Sequence, residues 1–234
     1  STDCTTFTGK FLFMKTALLF GATGLTGRYV YQYLLKEEQY STIRVFTRSP
    51  FSLNDPKVEN IVIDFEKLSS YENQIAGDIL FCCLGTTRRK AGSKENFRKV
   101  DFEYVAAIAE VAEKAGVKKF LVISSVGADA ESKNYYLRVK GEMENFLIHT
   151  AIPQVVILRP SLLLGKREEF RFGEEMGKQI YSFLKFLFVG PLRRYRGIHA
   201  KTVARAMVRL ADVDTIGRQI IPSDQIAVLG RAAR

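Results

Sequence analysis

Short apolar runs alternate with helical stretches along most of the chain, and this alternation limits the fold more than any other feature. The run at 16–20 leads into a glycine-rich turn, and residues 29–35 then show helical apolar spacing. Further strands are predicted at 43–47, 58–64, 79–84, 119–123 and 154–159. Strands that alternate with helices form a parallel sheet covered on both faces, so the sequence predicts an α/β fold with a doubly wound parallel sheet.

Helical patterns continue in the second half of the chain. Apolar residues recur at helical spacing over 95–115, and Gly116 supplies a stop signal. Further helices are predicted at 135–149 and 200–211, and a last strand at 219–221.

The length of 234 residues allows one substantial hydrophobic core. We therefore predict a single domain over 14–234. Regular alternation fades after Gly165, so 165–234 is expected to contribute a small substrate-covering subregion. Residues 1–13 are interpreted as a leader or an added extension.

The formal net charge of +10 raises the question of a nucleic-acid partner. Basic residues are spread along the chain, with local groups only at 88–90 and 193–196, and no recognisable nucleic-acid module frames either group. We interpret the charge as a solvated basic surface together with a pocket for an anionic cofactor, and we do not expect a nucleic-acid partner.

Cysteine and histidine usage points away from disulfides and metals. Cys4, Cys82 and Cys83 are too few for a disulfide framework, which favours a reducing compartment. His149 and His199 are isolated, so no metal site is expected. Because no secretory signal precedes the first strand, we expect a cytoplasmic location.

The first strand ends in the pattern Gly-x-x-Gly-x-x-Gly at Gly21, Gly24 and Gly27. Glycines allow a tight turn and a close approach of the backbone to a pyrophosphate, and the following helix presents unpaired N–H groups to the anion. A turn that merely connects two elements is the alternative. The position after the first strand favours dinucleotide binding, with Thr23, Leu25 and Thr26 completing the turn.

The end of the second strand indicates which dinucleotide binds. NAD would be recognised there by an acidic residue on the ribose 2′-hydroxyl, whereas the sequence has Thr47-Arg48-Ser49. The guanidinium of Arg48 suits a 2′-phosphate, although a solvated arginine is the plainer interpretation. NADP(H) is therefore the expected cofactor.

A catalytic group is predicted around the strand that ends at 123. Tyr136 and Lys140 lie four positions apart and so share one helical face. A tyrosine beside an ammonium can protonate the alkoxide formed when a carbonyl accepts hydride, and Ser125 at the strand end can bind the carbonyl oxygen. Tyr135 is the less suitable acid because Val139 occupies its fourth following position.

Three segments, 21–27, 124–129 and 136–142, resemble the atypical and extended short-chain dehydrogenases/reductases with a Rossmann fold, and most closely the Tat-interacting-protein oxidoreductase family. The resemblance covers nearly all of the chain from Thr16. It implies NADPH binding, with Ser125, Tyr136 and Lys140 as catalytic residues. It further implies that the cofactor site includes Asp64 near the adenine, Leu84, Gly85, Thr86, Ser124 and the two catalytic residues Tyr136 and Lys140, with Arg159 toward the substrate.

These observations predict an NADPH-dependent oxidoreductase that acts on a small carbonyl or alcohol. One departure from the broader class is Asp101, which stands where many members have an asparagine that supports a relay water. An alternative is a regulatory protein that binds NADPH and a protein partner without turnover.

An apolar segment at 183–189 lies close to Arg193, Arg194 and Arg196. The segment is too short to span a bilayer, and we interpret it as a lid or core helix rather than a site of peripheral membrane contact. The oligomeric state is left open.

Overall fold

A seven-stranded parallel sheet is the centre of the fold. The computed structural model describes residues 14–50, 55–164, 196–214 and 217–231. Their strands are β1 (Lys15–Phe20), β2 (Tyr40–Thr47), β3 (Val58–Val62), β4 (Ile79–Cys82), β5 (Lys119–Ile123), β6 (Gln154–Arg159), β7 (Leu163–Leu164), β8 (Ile198–His199) and β9 (Gly217–Pro222).

The strand order in the main sheet is β3-β2-β1-β4-β5-β6-β9, while β7 and β8 form a separate short pair. Chain order reverses between β1 and β4, which opens a crevice at the carboxyl ends of these two strands. The predicted doubly wound parallel sheet is confirmed.

Helices cover both faces of the sheet. They are α1 (Gly27–Leu34), α2 (Arg88–Ala91), α3 (Lys94–Arg98), α4 (Tyr104–Lys114), α5 (Tyr135–Ile148), α6 (Ala200–Ala211) and α7 (Ser223–Leu229), with a 3₁₀ segment at Phe65–Tyr71 and a π-helical turn at Lys99–Glu103.

Side-chain alternation along the strands builds a core on each face. In β1, Ala17 and Leu19 belong to the core beneath α1, α6 and α7, whereas Leu18 and Phe20 belong to the core beneath α4 and α5. Strands that are buried on both faces have continuous apolar sequences. For this reason the positions of these strands could be predicted from the sequence. Phe20 also stacks on Phe46 of the neighbouring strand, with ring centroids 4.4 Å apart.

The predicted helix at 95–115 is divided in the structure. It begins as α3 at Lys94, passes through the π turn and continues as α4. The apolar stripe runs through all three parts, so periodicity alone cannot locate the wider turn. Strands predicted to end at residues 64 and 84 end earlier, at Val62 and Cys82.

The described part of the predicted C-terminal subregion belongs to the sheet domain. Helix α6 packs against α1, and β9 adds the seventh strand beside β6. Residues 165–195 of that subregion, which include the apolar segment at 183–189, lie outside the described residues.

Helix α5 is joined to the sheet by a buried carboxylate. Glu144 is 1% exposed, and Oε1 of its carboxylate accepts a hydrogen bond from Nε of Arg159 at 3.0 Å. The hydroxyl of Ser124, at the end of β5, donates to the same oxygen. The carboxylate therefore links α5 to the ends of β5 and β6.

Replacing Glu144→Leu is expected to lower the free energy of unfolding by about 3 kcal/mol. The substitution leaves the Ser124 hydroxyl and the Arg159 guanidinium without their acceptor, and the partial exposure of Arg159 puts the cost at the low end for a broken buried pair. Chemical denaturation measures the change.

Glu142→Leu on the same helix is the matched control. Glu142 pairs with Arg98 and Arg138, whose side chains are 36% and 39% exposed. A loss below about 1 kcal/mol is expected for such exposed pairs. Equal losses in the two variants would show that the Glu144 network does not secure α5.

Candidate functional site

The glycine turn after β1 lies against the end of β4, at the crevice where the strand order reverses. Gly21 has φ +80°, and a Cβ atom there would lie 2.6 Å from the carbonyl oxygen of Cys83. Only glycine combines this backbone conformation with so close an approach. The turn is therefore fixed to the carboxyl end of β4.

Gly27 meets the same turn from the start of α1. A Cβ atom on Gly27 would lie 2.0 Å from the carbonyl oxygen of Gly21, and the N–H of Gly24 donates to that oxygen at 2.9 Å. Thr26 precedes α1 and makes no side-chain cap. This close packing brings the helix N-terminus to the surface on which a pyrophosphate can lie.

The other residues of the turn differ in exposure. Thr23 is exposed, Leu25 is half-buried and Thr26 is buried. The turn thus offers backbone and one exposed hydroxyl to the crevice. Side chains at two of its glycines would occupy space that the backbone uses, so the turn can be this compact only with glycine. A compact turn of exposed backbone N–H groups fits a dinucleotide phosphate.

Arg48 and Asp64 lie beyond the ends of β2 and β3. Arg48 is exposed immediately after Thr47, at the end of the second strand. Asp64 is also exposed and caps the 3₁₀ segment by accepting the N–H of Glu66 at 3.0 Å. The structure gives Asp64 a local role in addition to the predicted one near the adenine.

The loop after β4 contains Leu84, Gly85 and Thr86 and borders the same crevice. The N–H of Thr86 donates to Oδ2 of Asp101 at 2.8 Å. The other carboxylate oxygen, Oδ1, lies 2.7 Å from Nζ of Lys140. The loop predicted to border the cofactor is thus connected to the predicted catalytic lysine through Asp101.

Lys140 is a buried cation. Its Nζ also donates to the carbonyl oxygen of Ile123 at the end of β5, at 3.4 Å. Burial acts to lower the pKa of Lys140, but Asp101 and Tyr136 act to raise it, and the net pKa lies above the ordinary value for lysine. The ammonium is therefore charged throughout the physiological pH range.

The two adjacent tyrosines at the start of α5 have different surroundings. The hydroxyl of Tyr135 donates to the carbonyl oxygen of Lys94 at 2.9 Å. The ring of Tyr136 packs against Phe97 with centroids 5.4 Å apart, and its hydroxyl donates to none of the residues that the structure describes. Of the two tyrosines, only Tyr135 has a hydroxyl bonded to a described residue, and the role of Tyr136 as the acid stays a prediction.

Ser125 begins a loop that packs directly on α5. A Cβ atom on Gly141 would lie 2.1 Å from the backbone nitrogen of Ala130, and the N–H of Asp129 donates to the carbonyl oxygen of Leu137 at 3.1 Å. This packing fixes the position of the loop that begins at Ser125 relative to the helix that carries Tyr136. Ser125 itself is half-buried, and its hydroxyl donates to the carbonyl oxygen of Val126 at 3.3 Å.

Two predicted cofactor-site residues share a partner within the protein. Glu144 accepts hydrogen bonds from the side chains of both Ser124 and Arg159. Their roles at the cofactor stay predictions. Sequence reasoning missed Glu144, although its position four residues after Lys140 places it on the same face of α5.

The adjacent cysteines have no nucleophilic role in this geometry. Burial raises the pKa of Cys82 to about 12 and holds that of Cys83 well above its ordinary value. Both thiols are neutral at physiological pH, in agreement with their interpretation as part of an apolar strand.

Metal and membrane features were also sought in the described residues. Within residues 14–50, 55–164, 196–214 and 217–231, no three His, Cys, Asp or Glu side chains are grouped as metal ligands. No helix in these same ranges is long and apolar enough to cross a membrane.

Known proteins match the chain over most of its length. Protein HTATIP2 from Rattus norvegicus is 37% identical over 174 residues, which cover 73% of this chain and 72% of the relative. The mitochondrial protein FMP52 of Eremothecium gossypii is 32% identical over 219 residues, 91% and 96% of the two chains. These relatives agree with the family resemblance seen in the sequence.

Solved structures show the same fold at low identity. The enzyme WbmH of Bordetella bronchiseptica, solved in complex with NAD+, superimposes with a TM-score of 0.64 at 15% identity, over 88% of this chain and 75% of that one. At this identity the similarity establishes the fold alone.

The expected cytoplasmic location is wrong by comparison with the fungal relatives, which are named as mitochondrial proteins. The cytosol and the mitochondrial matrix both keep thiols reduced, so cysteine usage does not separate them.

Residues 21–213 match the family of NAD(P)H-binding proteins. This span begins at the first glycine of the turn and includes α5. With this match and its Rossmann-type sheet, the chain belongs to the NAD(P)H-binding family.

Proposed function

We propose that this protein is an NADPH-dependent oxidoreductase that reduces a small carbonyl substrate. The observation that carries the proposal is the placement of α5. This helix puts the Lys140 ammonium against the loop that follows β4, and it carries Tyr136 one turn earlier with an available hydroxyl. The chain therefore combines a proposed proton donor and a cation with a glycine turn that suits a dinucleotide.

The residues present fit a bound dinucleotide. Gly21, Gly24 and Gly27 would hold its pyrophosphate, and the loop at 84–86 would border its nicotinamide end. The dinucleotide, when bound, supplies the hydride. Arg48 would pair with the 2′-phosphate of NADP through charge-assisted hydrogen bonds.

Tyr136 would donate its hydroxyl proton to the developing alkoxide oxygen of the substrate. The Lys140 ammonium would stabilise the phenolate that remains, since an adjacent cation favours the ionised form of an acid. Ser125 would hydrogen-bond the substrate oxygen and fix its orientation.

Tyr136→Phe is expected to reduce NADPH oxidation by at least about 100-fold with a panel of aldehydes, ketones and quinones, because the variant has no proton to donate. NADPH binding, measured by fluorescence titration, is expected to stay within about twofold, since the aromatic ring is retained.

Tyr135→Phe is the matched control, because its hydroxyl is used in a bond to the backbone of Lys94. Activity within a few-fold of the wild type is expected. Full activity in Tyr136→Phe would refute the assignment of the acid. A wild type that binds NADPH but turns over none of the panel would favour the regulatory alternative.

Arg48→Gln is expected to weaken NADPH binding by about tenfold or more and to leave NADH binding unchanged, since a charge-assisted pair with phosphate contributes at least about 1.5 kcal/mol. Isothermal titration at constant ionic strength measures both affinities.

Arg44→Gln, on the strand that precedes Arg48, is the control, because Arg44 pairs with Glu59 at 2.8 Å. It should affect neither dinucleotide. A parallel loss of NADPH and NADH affinity in Arg48→Gln would show that this arginine does not read the 2′-phosphate.

We also infer a mitochondrial location, which is supported by the names of the fungal relatives. The full-length protein with a C-terminal fluorescent tag is expected to overlap with a mitochondrial marker in cells. A diffuse signal that excludes mitochondria would contradict this inference.

A further inference from the structure

A buried carboxylate lies directly against the predicted catalytic lysine. The side chain of Asp101 is 1% exposed and that of Lys140 is 5% exposed, with 2.7 Å between Oδ1 and Nζ. The second oxygen of Asp101 accepts the N–H of Thr86 at 2.8 Å. Both oxygens of one buried carboxylate are thus used, one by a cation and one by the loop after β4.

The pair lies immediately below the surface of the crevice. A Cβ atom on the exposed Gly85 would lie 3.4 Å from Oδ1 of Asp101 and 3.9 Å from Nζ of Lys140. The exposed backbone at Gly85, which is predicted to border the cofactor, therefore lies next to the ion pair.

Asp101 occupies the π-helical turn at Lys99–Glu103. A π turn inserts one extra residue into a helix and is frequent at functional sites. Here the turn carries a charged side chain that is buried and directed at Lys140, while the apolar stripe of the helix continues through it. This arrangement costs desolvation energy, which an apolar residue at the same position would avoid.

The groups that act electrostatically on Lys140 come from three elements. Asp101 lies on the π turn, Tyr136 on the same helix as the lysine and Cys82 at the end of β4. Cys82 is neutral because burial raises the pKa of its thiol to about 12. Asp101 is therefore the group that balances the lysine charge at physiological pH.

We propose that Asp101 is a positioning residue that keeps the Lys140 ammonium charged and fixed beneath the Gly85–Thr86 backbone. Without this carboxylate the lysine would be a buried cation with one carbonyl contact at 3.4 Å, an environment that favours the neutral amine. A neutral amine cannot stabilise a phenolate on Tyr136. The expected effect of Asp101 on turnover rests on the proposed oxidoreductase function. The expected effect of Asp101 on the charge of Lys140 does not.

The charge state can be measured without turnover. Lysine labelled with 13C at Cε reports its own protonation by NMR, and Lys140→Met identifies the signal of Lys140. In the wild type the signal is expected to remain that of an ammonium up to pH about 10.4, the ordinary midpoint for lysine. In Asp101→Asn the midpoint is expected to fall by at least about one pH unit.

Two results would overturn the proposal. One is a Lys140 signal that, in the wild type, already titrates below pH about 9.5; this result does not depend on whether Asp101→Asn folds. The other is an Asp101→Asn midpoint equal to that of the wild type. If Asp101→Asn fails to fold, Asp101→Glu retains the charge on a longer arm, and its Lys140 midpoint should stay within about half a pH unit of the wild type.

The pH profile of the reductase supplies a second measurement. Loss of Asp101 leaves Lys140 to deprotonate at lower pH, and a neutral Lys140 cannot stabilise a phenolate on Tyr136. This change moves the alkaline limb of the kcat profile to lower pH, by at least about one unit in Asp101→Asn. A purely structural role would lower activity at every pH and leave the limb in place.

Asp78→Asn is the matched control for both measurements. Asp78 pairs with Lys118 at 3.4 Å before β4, and the lysine side chain there is 74% exposed. This variant should change neither the Lys140 signal nor the alkaline limb. If the wild type turns over no substrate while the Lys140 midpoint falls as expected in Asp101→Asn, the oxidoreductase proposal fails and the role of Asp101 stands.

Discussion

The close approach of the first turn to the end of β4 is the constraint on which the site depends. A Cβ atom at Gly21 would lie within 2.6 Å of the Cys83 carbonyl oxygen, so the backbone fills the space of a side chain. The loop after β4 starts from the same residue and continues to Thr86, whose N–H is bound by Asp101. The phosphate-binding turn and the environment of Lys140 are therefore parts of one packed unit.

Helix α5 extends this unit to the predicted catalytic residues, and its two buried ion pairs make the connection. Lys140 pairs with Asp101, and one turn later Glu144 pairs with Arg159. Buried pairs of this kind add little net stability compared with apolar packing, because desolvation offsets the attraction. Their effect on the geometry of α5 is larger than their effect on stability. Each pair forms all of its hydrogen bonds in only one arrangement. This fixes the rotation of α5 and, with it, the position of Tyr136.

Periodicity and glycine spacing were sufficient to predict the sheet, the turn and the helix with Tyr136 and Lys140, because those signals are local. The partners of the buried charges were not predictable in the same way. Asp101 precedes Lys140 by a loop, a helix and a strand, and the π turn that directs its side chain leaves the apolar stripe intact. Glu144 lies on the predicted helix, but its partners are at the ends of β5 and β6. Such contacts arise only when the parallel strands bring their carboxyl ends together.

A shared fold does not by itself establish a shared function. WbmH shares this fold at 15% identity, and at that identity the fold alone does not select a reaction. The proposed chemistry in this chain depends instead on polar groups at one edge of the sheet: the phenol of Tyr136, a buried ammonium and the carboxylate that balances it. These groups belong to α5 and the π turn, and none of them is selected by the shape of a particular substrate. The proposed proton transfer would therefore apply to any carbonyl compound that reaches Tyr136.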